Sequence, residues 1–191
     1  MPTAHILHGF NISDGGRGSI DKIIPFLKDK GFDIHEHDYG WRGLLGVRLF
    51  NASTAHDVAK SVRPGDICIG HSNGCAILYL ASFECNPAGM VFINPALDSD
   101  VEPECDWVHV YFNKDDTIVE ISKYLIFHAW GNMGQVGYIG SKDYITNIDT
   151  QDYINMPCVS GHSDFFNHDS WMEQMSVYTK AAWDKQDNRH V

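Results

Sequence analysis

Residues 66–78 read DICIGHSNGCAIL. An apolar run stops at Ser72, which has Gly two residues to either side, and a second apolar run starts from Cys75. A short apolar run bounded by turn residues reads as a buried strand. The stretch NGCAILYLASFEC (73–85) is apolar nearly all round and reads as a buried helix. A polar Ser at so tight a strand-to-helix joint is forced into strained backbone angles. Gly70 and Gly74 leave room for the chain to pass close to itself. The Ser then points out of the sheet toward solvent, at a helix N-terminus where free N–H groups favour negative charge.

The same alternation runs outward in both directions. AHILHG (4–9), FDIHEHDYG (32–40), GMVFINPAL (89–97) and WVHVYFN (107–113) read as strands. SIDKIIPFLKDKG (19–31) carries Ile20, Ile23, Ile24 and Leu27 at helical spacing, with Gly31 as its cap. Pro25 within it implies a kink or a later start. STAHDVAKSVRPG (53–65) reads as a helix whose Thr54 and Asp57 have capping-box spacing. TIVEISKYLIFHAW (117–130) and DSWMEQMSVYTKAAWDKQ (169–186) are the remaining helices. Trp171, Met172, Met175, Tyr178, Thr179, Ala182 and Trp183 form the inner face of the last. Residues 131–160 are the least regular; YITNI within them is a candidate strand, and the rest reads as loop. Strands that do not alternate, separated by helices, imply an α/β fold with a mostly parallel sheet and helices on both faces.

Composition narrows the function. The 191 residues fit one domain spanning 1–191, long enough for a core without staples. A net charge of −11 argues against a nucleic-acid binder and against anionic membrane surfaces. No apolar run approaches the length of a membrane span, and the start MPTAHILHGF lacks the regions of a signal peptide. Cys68, Cys75, Cys85, Cys105 and Cys158 are odd in number and have no CxxC spacing, which favours a reducing, cytoplasmic setting. Cys75 reads as a small buried filler. His35 and His37 share one strand face, but DYGWRG follows where a binuclear centre would want a further Asp-His. Neither a metal nor a cofactor is expected.

In parallel sheets ligands bind at the carboxyl ends of the strands, so the residues just after each strand carry the chemistry. Three of these ends supply Ser, Asp and His. Ser72 follows DICIGH; Asp115 and Asp116 follow WVHVYFNK; His162 lies in CVSGHSDFF. A Gly-x-Ser-x-Gly match alone is weak, but here a strand precedes it and a helix follows.

On these motifs residues 4–186 resemble an α/β-hydrolase: HGF after the first strand, GHSNG at the elbow, DDTIV after a later strand, and GHS last. The order Ser, Asp, His is the one that fold uses. The resemblance implies a small, lidless serine hydrolase cleaving a carboxylic ester or thioester of a small molecule through an acyl-enzyme. It implies Ser72 as nucleophile, His162 as base and Asp116 as the acid that orients it, with Asp115 or Asp98 as alternatives. A plain N-cap of the helix that follows is the alternative role for Asp115 or Asp116. The backbone N–H groups of Asn73 and Phe10 would form the oxyanion hole. Trp41 and Trp130 are candidate pocket walls, while His8 and His71 are expected to shape and pack the loops around the site. Two other readings use the same fold: acyl transfer with the same triad, and a binding protein that has lost turnover.

Overall fold

The computed structural model describes residues 1–10, 13–40, 44–122 and 131–187, with the backbone alone at 44–48 and 120–122. The strands are β1 (Thr3–Leu7), β2 (Asp33–His37), β3 (Ile67–His71), β4 (Gly89–Ile93), β5 (Val108–Phe112) and β6 (Ile145–Asp149). The helices are α1 (Ile24–Asp29), α2 (Leu44–Ala59), α3 (Asn73–Cys85), α4 (Thr117–Ser122), α5 (Met133–Val136) and α6 (Asp169–Asp187). Six strands form one sheet in the order β2-β1-β3-β4-β5-β6, and every neighbouring pair is parallel.

Every residue of β3 and β4 is buried, which explains why these strands read as continuous apolar runs. Successive side chains take opposite faces. Ile67, Ile69, Val91 and Ile93 pack with Leu27 of α1 and Trp171, Met172 and Met175 of α6. Cys68, Met90 and Phe92 pack on the other face with Ala55 and Val58 of α2 and Ile77, Leu78 and Ala81 of α3. The expected inner face of α6 lies in the core: Trp171 and Met175 are fully buried, and Tyr178, Ala182 and Trp183 pack against them.

Two helix boundaries differ from the sequence reading. The stretch from residue 19 opens as a 3₁₀ turn over Ile20–Ile23, and α1 begins only at Ile24, with Pro25 in its first turn where its missing N–H costs nothing. The second helix does not start at the Thr54 capping box. It starts at Leu44, and Thr54 sits mid-helix with Oγ1 donating to the Phe50 carbonyl at 2.9 Å. Packing of α2 along α3 thus overrides a local start signal, and the Thr hydroxyl bonds back one turn instead of capping. The helix expected over 117–130 is described only as α4; residues 123–130 lie outside the described residues. YITNI supplies β6, at the sheet edge.

Several histidines are held inside this frame. Burial pushes His71 down to about 3 and His109 down to about 4. In the unfolded chain they titrate near their ordinary value of 6.5. Below that pH the unfolded state takes up protons that the folded state refuses, so stability is complete above pH 6.5 and is lost as pH falls toward 4. Each such histidine adds a slope of about 1.4 kcal/mol per pH unit within that window. Thermal melts recorded from pH 7.5 to pH 4.5 are therefore expected to show a melting temperature that drops steadily below pH 6.5. A flat profile would mean these imidazoles are protonated in the fold.

Among the described residues, no helix is long and apolar enough to cross a membrane.

Candidate active site

The joint between β3 and α3 has the strained geometry that its sequence demands. Ser72 has φ 54° and ψ −122°, a conformation that a residue with a side chain rarely adopts. Backbone bonds on both sides over-determine it. Ser72 N–H donates to the Ile93 carbonyl at 3.1 Å, and the Ser72 carbonyl accepts from Cys75 N–H at 3.1 Å and Ala96 N–H at 3.2 Å. Strain held this firmly clusters at functional sites. The flanking glycines are there for close approach. A Cβ on Gly74 would lie 2.4 Å from the Leu7 carbonyl oxygen and 2.6 Å from that of His8, and one on Gly70 would lie 2.9 Å from Cys75 N. The start of α3 is thereby pressed against the end of β1.

His162 and Asp116 are brought together from 46 residues apart. His162 Nδ1 lies 2.9 and 2.8 Å from the two oxygens of the Asp116 carboxylate. Asp116 is fully buried and the His162 side chain is 13% exposed, so one edge of the ring stays open. With Nδ1 facing a carboxylate, Nδ1 donates the hydrogen of this bond. Asp116 Oδ1 also accepts from Val119 N–H at 3.2 Å, capping α4. The carboxylate thus both caps α4 and meets His162. Asp115 is exposed and accepts from Gln151, and Asp98 is exposed; among the described residues neither alternative acid is hydrogen-bonded to His162.

Ser72 is 8% exposed, and its chain neighbour His71 reaches the His162 segment: His71 Nε2 donates to the His162 carbonyl at 3.0 Å, and the two rings lie 4.9 Å apart. Among the described residues no hydrogen bond joins Ser72 Oγ to His162. Cys75 is fully buried, and burial raises its thiol far above the ordinary range, which leaves it inert.

The loop after β1 is fixed from behind. The Gly9 carbonyl accepts from Tyr39 OH at 2.7 Å and from His8 Nδ1 at 2.8 Å, and the His8 and Tyr39 rings stack at 4.3 Å. In a trans peptide N–H and C=O point opposite ways, so these bonds turn the Phe10 N–H away from Tyr39. Gly9 itself abuts Ser72, since a Cβ there would lie 3.0 Å from Ser72 Cβ. Asn73 is fully buried and forms a two-way amide pair with Asn51 of α2, at 2.9 and 3.3 Å. Trp41 and Trp130 lie outside the described residues.

Four residues around the site have no assigned role in the sequence reading: Tyr39, Asn51, Asn94 and Asn113. The last two directly follow β4 and β5. That position was itself a signal, because ligand and catalytic groups collect just past the strand ends. Away from the site, His35 and His37 stack at 4.5 Å, and His37 Nε2 meets His5 Nδ1 at 3.0 Å. His5 Nε2 in turn faces Asp66 at 3.2 Å. Among the described residues no cluster of three or more His, Cys, Asp or Glu is arranged to hold a metal.

No protein-family model and no curated protein matches this sequence at a significant level. Solved structures do match it in shape. A monoacylglycerol lipase of Paleococcus ferrophilus superposes with a TM-score of 0.60 at 13% identity, over 97% of each chain. A pyrethroid hydrolase gives 0.56 at 14% identity, over 96% of this chain and 97% of its own. An extracellular α/β-hydrolase from a Paenibacillus species gives 0.55 at 11% identity, over 95% and 99%. Together with the sheet order and the strained turn after β3, these superpositions establish that the chain has the α/β-hydrolase fold.

Proposed function

We propose that this protein is a serine hydrolase that cleaves a carboxylic ester or thioester through an acyl-enzyme. The observation that carries the reading is the bond of His162 Nδ1 to both oxygens of a fully buried carboxylate, at the carboxyl-end side of the sheet where Ser72 is held in its strained turn. A serine hydroxyl is unreactive at neutral pH without an adjacent base. His162 Nε2 takes the Ser72 proton as Oγ attacks the carbonyl carbon, and Asp116 stabilises the imidazolium that forms. Charge that develops on the substrate oxygen meets the N–H groups of Asn73 and Phe10. Collapse expels the leaving group, which takes the proton from His162. Water, deprotonated by the same nitrogen, then releases the acid and restores Ser72. On this reading substrate binding brings Ser72 Oγ and His162 Nε2 into hydrogen-bond contact, since such contacts are often long before substrate binds. The names of the lipase and the pyrethroid hydrolase support a hydrolytic reaction on this fold.

The test is covalent labelling by a fluorophosphonate together with turnover of p-nitrophenyl esters of increasing chain length. Wild-type protein is expected to label and to turn over the shorter esters, and Ser72→Ala to do neither. Equal turnover by both proteins would remove the reading.

A further inference from the structure

The loop that carries His162 has little structure of its own. Between β6 and the 3₁₀ turn at Asp164–Asn167 the chain forms no helix or strand. A catalytic imidazole must nevertheless be held to within about half an ångström of its working position. The side chains that touch this loop show how that is done. Asn94 Nδ2 lies 3.3 Å from the Gly161 carbonyl oxygen and 3.0 Å from that of His162. Asn113 Nδ2 donates to the Gly161 carbonyl at 3.2 Å. His71 Nε2 donates to the His162 carbonyl at 3.0 Å. Four hydrogen bonds from three side chains thus converge on two consecutive carbonyls, and each donor follows or ends a different strand: β3, β4 or β5.

We propose that Asn94, Asn113 and His71 are positioning residues that clamp the main chain at Gly161–His162 and so transmit the rigidity of the sheet to the His162 imidazole. This rests on His162 being the base of the reaction proposed above.

Two features separate this clamp from ordinary core packing. First, all three donors are buried, Asn94 and Asn113 completely and His71 to 2% exposure. Their remaining polar atoms, Asn94 Oδ1, Asn113 Oδ1 and His71 Nδ1, have no partner among the described residues. Buried groups left so carry a desolvation penalty that apolar side chains would avoid, which is expected only where the bonds they do make are needed. Second, Asn94 stands at φ 45°, a left-handed conformation that Asn tolerates and bulkier apolar residues do not. Its backbone is bent to present its amide, with its own N–H tied to the Tyr111 carbonyl at 2.8 Å.

The experiment uses Asn94→Gly, which keeps the left-handed backbone and removes two of the four bonds, and Asn113→Ala, which removes a third. Ser72→Ala is the reference. Hydrolysis of p-nitrophenyl acetate is followed alongside the far-downfield proton NMR signal of the His162–Asp116 bond and the melting temperature. Both variants are expected to unfold cooperatively and to hold KM within twofold of wild type. In Asn94→Gly kcat falls at least tenfold and the downfield signal broadens or vanishes; Asn113→Ala shows the same changes to a smaller degree. Folded variants with unchanged kcat and an unchanged signal would overturn the clamp. If Ser72→Ala hydrolyses the ester as well as wild type, the hydrolase reading fails instead, and the NMR signal alone then decides whether the clamp orients His162.

Discussion

Replacing Asp116 with Asn is expected to lower kcat by about 10³- to 10⁴-fold while the protein stays folded. The substitution is nearly isosteric. It keeps a carbonyl oxygen to accept from Val119 N–H, so the cap of α4 survives. It replaces one oxygen facing His162 Nδ1 with an amide that donates, or presents a neutral acceptor in place of a charged one. In the first case the imidazole must move its hydrogen to Nε2, and the nitrogen needed by Ser72 can no longer accept a proton. In the second the imidazolium of the transition state loses its countercharge inside a buried site. Either way the loss falls on the chemical step. Steady-state kinetics should therefore show kcat reduced with KM little changed, and circular dichroism should match wild type. An Asp116→Asn protein with kcat within tenfold of wild type would mean that this carboxylate serves as a helix cap alone. Asp115 offers the internal control, since its side chain bonds Gln151 and Asp115→Asn should leave kcat within twofold.

Gly74→Ala is expected to destabilise the fold by about 3 kcal/mol or more. That corresponds to a fall of about 6–12 °C in melting temperature for a protein of this size. The added methyl would press on the Leu7 and His8 carbonyl oxygens at 2.4 and 2.6 Å. Both belong to backbone, and Leu7 is tied into the sheet on both sides, so neither can rotate out of the way as a side chain would. Relief requires α3 to lift from β1, which carries Ser72 and Asn73 away from the Gly9 loop. The same substitution should then remove fluorophosphonate labelling even in the fraction that remains folded. A melting temperature within 2 °C of wild type would show that the contact between α3 and β1 is looser than the backbone geometry implies.

The parts of the molecule that were legible in the sequence are those where local pattern and tertiary role coincide. DICIGHSNGCAIL gives β3, the turn and α3 together because burial on both faces favours apolar residues and the close backbone approach beside Ser72 requires Gly70 and Gly74. The inner face of α6 was legible for the same reason, since one stripe meets one core. The start of α2 was not. Thr54 and Asp57 imitate a capping box, and only the packing of α2 along α3 shows that the helix already runs there. At the site, the motifs GHSNG, DDTIV and GHS pointed to Ser72, Asp116 and His162, with Asp115 and Asp98 as alternative acids. The supporting groups were harder to see. Asn94 and Asn113 reach residues 67 and 48 positions away, and a lone Asn after a strand looks the same whether it turns the chain or grips a distant carbonyl. Asn51 is in the same position, since its partner Asn73 is on another helix. Such contacts are set by the sheet order, which brings β3, β4, β5 and the His162 loop side by side only after folding.

The measurement that bears most directly on Ser72 as the nucleophile is peptide mapping by mass spectrometry after reaction with a fluorophosphonate. One phosphonyl group per chain, located on Ser72 and lost in His162→Ala, is the expected result. Unmodified protein, or a group carried elsewhere with Ser72 untouched, would contradict it.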